Sequence, residues 1–249
     1  MKPAYQTVIF DIDGTLLKSD RGVMNALKYT TEKMGVPYPS AEIRQKFIGP
    51  PLHYNFHDLD GDERRRTPLG LSIYSTSITC LSAYLSRSSI PESWSWSPAF
   101  FDQGARVCIA TAKSKPMADR VVAHFGLTPY LACMETKADE QPTGDKKVLI
   151  RQILEDTGAK PEEAVMVGDT CFDAEGAFQN RMPFIGVTYG YGLKKEMEQA
   201  GAPCLLPQQR SFGRCWGSDG NQTTRAARKI CAALALEGEL WNYFTVLLF

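Results

Sequence analysis

Thr7-Val8-Ile9-Phe10-Asp11-Ile12-Asp13-Gly14-Thr15 is the stretch that decides the fold. Four apolar or β-branched residues run straight into an Asp-x-Asp pair, and a Gly-Thr turn follows. So short a run, rich in β-formers and ended by Gly, predicts a buried parallel strand rather than a helix. Both carboxylates then sit at the carboxyl end of a strand, the edge at which open α/β sheets place their ligands. Two acids one residue apart repel each other, so the pair needs a cation or a proton to share. Asp11 reads as a nucleophile and Asp13 as its acid/base partner.

Working outward, Gly22 to Met34 carries apolar residues at helical spacing, with Gly35 as its C-cap, and Ser40 caps a second helix over Ala41 to Phe47. The break Gly49-Pro50-Pro51 follows. These helices open an insert between the first strand and the next. Order returns at Gly104. Arg106 to Ala112 is a second buried strand that reaches the hydroxyl of Thr111, and Pro116 to Phe125 is a helix closed by Gly126. Residues 130–145 read as irregular. Lys146 opens a helix to Asp156 with Leu149, Ile150, Ile153 and Leu154 on one stripe and Gly158 as the stop. A third strand, Ala164 to Val167, runs into Gly168-Asp169-Thr170-Cys171-Phe172-Asp173. A short helix over Ala174 to Gln179 and a fourth strand over Pro183 to Thr188 complete the pattern. Alternating strands and helices specify an α/β, Rossmann-like parallel sheet with helices on both faces.

Bulk properties narrow the function. Lys+Arg and Asp+Glu both number 28, so the net charge of zero points to neither nucleic acid nor anionic membrane as a partner. The 7 cysteines lack any C-x-x-C spacing and read as reduced thiols of a cytoplasmic protein. The first six residues lead directly into the strand, which leaves no room for a signal peptide, and no apolar run approaches a membrane span.

Parallel strands bring Asp11 and Asp13, Thr111, and Asp169 with Asp173 to one sheet edge, with Lys146 heading the preceding helix. Carboxylates converging there call for a hard cation, and Mg²⁺ is the economical choice; the lack of clustered His or Cys argues against zinc. Together, Asp11-Ile12-Asp13-Gly14-Thr15, Thr111, Lys146 and Gly168-Asp169-x-x-x-Asp173 resemble the four motifs of the haloacid dehalogenase superfamily of phosphohydrolases. Gly49-Pro50-Pro51-Leu52 and Gly186-Val187-Thr188-Tyr189-Gly190-Tyr191-Gly192 look like its phosphoglycolate phosphatase-like and 5′-nucleotidase-like members with a helical cap. The resemblance spans roughly 1–57, 104–129 and 146–203.

That resemblance implies a core of 1–17 and 99–205, a cap of 18–98 inserted after the first strand, and an irregular C-terminal extension over 206–249. It implies that Asp11 attacks phosphorus to form an aspartyl-phosphate, while Asp13 protonates the leaving alcohol and then activates water. Mg²⁺ would be held by Asp11, by Asp13 through its backbone carbonyl, and by Asp169, with Asp173 either on a metal water or orienting Lys146. Phosphate oxygens would meet Gly14, Thr15, Thr111, Ala112 and Lys146, and Gly49 and Pro50 would touch substrate from the cap. An acid at Asp13 favours phosphoryl transfer over carbon–halogen cleavage. The expected substrate is a small phosphorylated metabolite, phosphoglycolate-like or a 5′-nucleotide. The rivals are a phosphomutase and a catalytically inactive product with a disrupted cap.

Other patterns carry less. Asp58-Leu59-Asp60-Gly61-Asp62 follows no apolar strand and lacks the Gly and Glu of a calcium loop. His53 and His57 have no third ligand. From about Asp58 to Pro98 no period is sustained, and this half of the insert is either divergent or degraded. Trp94 and Trp96 each have a single codon, so Pro91 to Pro98 is tightly constrained in another frame. With AGY codons for Ser95 and Ser97, the frame two nucleotides on reads Pro-Gly-Val-Leu-Glu-Leu-Glu-Pro, a good turn and helix start. A frameshifted reading of part of the insert is therefore expected. Resequencing the gene tests it, and an intact frame through these codons sinks the idea.

Overall fold

The computed structural model describes residues 5–35, 37–45, 85, 101, 104–137, 145–202 and 205–206. Gly49, Pro50, the 58–98 segment apart from residue 85, both His residues of the insert and the 206–249 extension beyond residue 206 lie outside the described residues.

The opening stretch forms β1 (Thr7–Phe10), buried at every position. It is followed by α1 (Asp20–Met34) and α2 (Ala41–Gln45), then β2 (Arg106–Ser114) and α3 (Lys115–His124). Next come β3 (Leu131–Lys137), α4 (Lys146–Thr157), β4 (Ala164–Gly168) and α5 (Cys171–Gln179). The last elements are β5 (Phe184–Val187), α6 (Lys194–Gln199) and the short β6 (Leu205–Leu206). All strand pairs are parallel, in the order β3-β2-β1-β4-β5-β6. β1 lies at the centre, so Asp11 emerges where strand order reverses, the crevice at which such sheets bind ligands.

Strand alternation divides the core into two layers. Val8 and Phe10 of β1, Val107 and Ile109 of β2, and Val165 and Val167 of β4 join one cluster with Met117, Val121 and Val122 of α3. Ile9, Cys108, Ala110 and Met166 point the other way, into a cluster with Leu149, Ile150 and Ile153 of α4 and Ala174 and Ala177 of α5. The expected α/β parallel core is thus present, with helices on both faces.

One expectation is corrected. Residues 131–137, read from sequence as irregular, form an edge strand paired to β2. The edge position explains the weak signal: most of its residues are only half buried, so Leu131-Ala-Cys-Met-Glu-Thr-Lys mixes polar and apolar side chains. The helix after Asp169 also begins earlier than Ala174. Thr170 and Asp173 form a reciprocal capping box that starts α5 at Cys171. Gly35 and Gly158 do end α1 and α4, with φ of +65° and +61°. Cys108, Cys133 and Cys171 are free thiols.

α4 and α5 touch through Gly176, where an added Cβ would fall 2.7 Å from Lys146 Cβ and 3.0 Å from its backbone carbon. That close approach holds Lys146 in the fold. Gly176→Ala should therefore lose about 1–2 kcal/mol of stability despite better helix propensity. Denaturant melting measures it, and an unchanged or raised midpoint refutes this account of the packing.

Candidate active site

Asp11 follows β1 directly, and its backbone N–H donates to Val167 O at 3.0 Å, extending the ladder onto β4. The residue is 7% exposed. The chain then turns back on itself: Gly14 N–H donates to Leu17 O at 2.9 Å and Leu17 N–H to Ile12 O at 2.8 Å. Gly14 takes φ +83°, and a Cβ there would overlap the Asp169 carboxylate, so only glycine fits.

Lys146 comes from the first turn of α4, whose N-cap Asp145 accepts from Lys147 N–H at 2.9 Å. Lys147 is exposed, whereas Lys146 points inward. Its Nζ donates to Asp11 Oδ1 at 2.5 Å and to Ala110 O at 2.8 Å, and lies 2.7 Å from Asp173 Oδ1. One ammonium therefore binds groups from β1, β2 and α5. Asp173 combines two roles, because its Oδ2 accepts from Thr170 N–H and Thr170 Oγ1 in the capping box.

Asp169 is fully buried at the end of β4. Oδ1 accepts from Thr15 Oγ1 at 3.2 Å, and Oδ2 accepts from Tyr191 N–H at 2.7 Å and more weakly from Gly192 N–H at 3.4 Å. A Cβ at Gly190 or Gly192 would collide with Asp169, so the 189–192 loop closes on this carboxylate because it is glycine-rich. Asp11, Asp169 and Asp173 each offer an oxygen, and these oxygens lie within 4.8 Å of one another. Three buried hard-oxygen donors without His or Cys match the chemistry that Mg²⁺ prefers. The residues fit the ion.

The electrostatics agree. Burial pushes the Asp11 carboxyl well above its ordinary range, further than Lys146 can pull it back, and Asp173, Asp169 and Asp13 add to the rise. Burial, with Asp173 beside it, also pushes Asp169 up to about 7, against its backbone donors from Tyr191 and Gly192. For Lys146 burial acts downward, but Asp11 and Asp173 outweigh it and hold the ammonium charged. The cluster has a surplus of negative charge that a proton or a metal ion relieves.

The other residues expected at the site have the following neighbours. Thr15 Oγ1 donates to Asp169, and Gly14 lies against that same carboxylate. Asp13 stands outside the cluster of three, and its Oδ2 pairs with Lys113 Nζ at 2.6 Å. Thr111, 1% exposed, accepts from Lys113 N–H at 3.3 Å, which leaves its hydroxyl hydrogen available to an oxygen ligand. Ala112 lies in the stretch of β2 where the register with β3 slips, between Thr111 and Ser114. Sequence reasoning missed Lys113 and Tyr191. The Tyr191 hydroxyl accepts from Ser19 N–H (2.7 Å) and Asp20 N–H (2.8 Å) at the start of α1. Tyr189 OH donates to Thr15 O at 3.2 Å. Two tyrosines within the Gly186–Gly192 motif were the available signal.

The sequence model of the haloacid dehalogenase-like hydrolases matches residues 8–187. The chain belongs to this family. It is 29% identical over 197 residues to the tyrosine-protein kinase PtkA of Mycobacterium tuberculosis, covering 75% of this chain and 63% of that protein. The chain thus spans less than two thirds of the length of PtkA. A 5′-nucleotidase of Pseudomonas aeruginosa is 28% identical over 195 residues, covering 78% of this chain and 87% of that one. Among solved structures, one described as a predicted phosphatase from Clostridium acetobutylicum superposes with a TM-score of 0.70 at 27% identity, covering 84% of this chain and 96% of the other. No helix among the described residues is long and apolar enough to cross a membrane.

A carboxyl whose folded-state pKa is raised keeps its proton in the folded protein after the unfolded chain has released it. For Asp169 that stabilisation is complete below 3.8 and is lost as pH rises through about 7. The metal-free protein should therefore melt at a lower temperature at about pH 8 than at about pH 5, and Asp169→Asn should flatten that slope. Mg²⁺ should raise the melting temperature more at the higher pH, because protons and metal compete for the same oxygens. Thermal scans with and without Mg²⁺ measure both effects.

Proposed function

We propose that this chain is a Mg²⁺-dependent phosphomonoesterase that hydrolyses a small phosphorylated metabolite through an aspartyl-phosphate. The leading substrate classes are phosphoglycolate-like carboxylated phosphates and 5′-nucleotides. The observation that carries the reading is the buried Lys146, bonded to Asp11 and 2.7 Å from Asp173, beside the fully buried Asp169. Membership of the family and similarity to a relative named 5′-nucleotidase support the reaction class.

In this reading an Asp11 carboxylate oxygen bonds to phosphorus as the bond from phosphorus to the alcohol oxygen breaks, so that Asp11 becomes phosphorylated. Its position one residue beyond a central strand holds it rigidly on the line of attack. Lys146, kept charged by its two carboxylate neighbours, neutralises the nucleophile before attack and the phosphoryl oxygens during it. Thr111 donates its hydroxyl hydrogen to a phosphoryl oxygen. Asp13 gives a proton to the leaving oxygen, then takes one from the water that cleaves the aspartyl-phosphate. Asp11, Asp169 and Asp173 are the side chains that would hold Mg²⁺, with Asp13 contributing its backbone carbonyl. The bound ion would screen the nucleophile from the anionic phosphate. Thr15, Tyr191 and Gly192 orient Asp169 from behind.

A para-nitrophenyl phosphate assay with and without Mg²⁺ tests the reading. Turnover should need the metal. Asp11→Asn should lose roughly 10³-fold or more, and Lys146→Met about 10²–10³-fold. Folded wild type without turnover, or an Asp11→Asn variant as active as wild type, defeats the proposal.

A further inference from the structure

Lys113 lies on β2 two residues beyond Thr111. Across Thr111 to Ser114 the pairing slips: Thr111 faces Thr136 and Ser114 faces Lys137, so Ala112 and Lys113 are extra residues on β2. A strand irregularity of this kind bends the strand and re-aims the side chains within it. Here it accompanies a Lys113 side chain turned onto Asp13, with Nζ 2.6 Å from Oδ2 and only 9% of the side chain exposed. The exposed pair Lys115–Asp119, one turn along α3, is a different kind of contact: its side chains are 67% and 50% exposed and its atoms 3.0 Å apart. A solvated pair contributes little, but burying an ammonium is costly unless a partner is fixed against it.

The second observation is how the two lysines divide the acids. Asp11 and Asp13 are one residue apart, yet Lys146 binds the first and Lys113 the second. The backbone ties Lys113 to the phosphate-facing group as well, since its N–H donates to Thr111 Oγ1 at 3.3 Å.

We infer that Lys113 is a positioning residue that holds the Asp13 carboxylate apart from the Asp11–Lys146 pair, on the side where the leaving oxygen sits. The inference rests on the phosphomonoesterase reading. Lys113 contributes no proton and no bond to the reaction. It fixes the group that does, so its loss should be felt according to how much the leaving group depends on Asp13. An alkyl phosphate expels a basic alkoxide and needs the acid, whereas dinitrophenyl phosphate expels a stable phenolate and hardly does.

The test has two arms on the full chain. Thermal melts of Lys113→Met, Asp13→Asn and the double variant form a cycle that reads the pair without any assay. Non-additive shifts in melting temperature are expected; additive ones overturn the inference. In the second arm, kcat and KM are measured with an alkyl phosphate and with dinitrophenyl phosphate. Lys113→Met should lower kcat on the alkyl ester at least about tenfold more than on the dinitrophenyl ester, and Lys113→Arg should recover most of the difference. Equal losses on both esters, or a loss confined to KM, leave the phosphatase reading standing and remove Lys113 from it. A wild type that turns over neither ester defeats the phosphatase reading, while the melting cycle still decides whether Lys113 fixes Asp13.

Discussion

The Lys146 ammonium is the point on which the site depends. It ties Asp11 at the end of β1, the Ala110 carbonyl of β2 and Asp173 of α5 into one buried contact. A buried cation persists only where its partners are held with good geometry, and removing one partner commonly costs 3–5 kcal/mol. Three features of the fold provide that geometry. The Asp145 cap sets where α4 begins, the apolar stripe of α4 presses the helix onto the sheet, and Gly176 lets α5 come close enough for Asp173 to reach. The same contacts that stabilise the α4–α5 layer aim the lysine at Asp11.

This arrangement leaves the acids outnumbering the bases. Four carboxylates meet two ammonium groups, and burial makes the mismatch matter, as the raised proton affinity of Asp11 and Asp169 records. A fold selected for stability alone would bury fewer charges at the end of its central strand. A bound cation would relieve that strain, and the proposed phosphoryl transfer calls for the same cation, so the unfavourable electrostatics and the proposed chemistry share one origin.

The 189–192 loop extends the site outward. Through its backbone it holds Asp169, and through two phenols it holds Thr15 and the first residues of α1. The Tyr191 hydroxyl accepts two N–H groups that helix geometry leaves unpaired. The start of α1 is thereby attached to the same loop that holds the Asp169 carboxylate. A displacement of α1 bears directly on the position of Asp169.

The sequence by itself determined the central strands, the stripe of α4 and the carboxyl-edge placement of Asp11, Thr111, Lys146 and Asp169. Each is dictated by a local period or a cap, and a parallel sheet sends all its strand ends to one side. Local pattern failed where burial was partial, so the half-exposed β3 looked like a loop, and it could not tell which acid would meet which base. Spacing along the chain gives Asp11 and Asp13 the same environment. Only the tertiary structure sent one to Lys146 and the other to Lys113, placed Thr15 on Asp169, and brought Tyr191 to α1. Those pairings join residues up to 172 positions apart. They depend on strand register, helix approach and a slip in β2, and distance in space rather than order in sequence decides them.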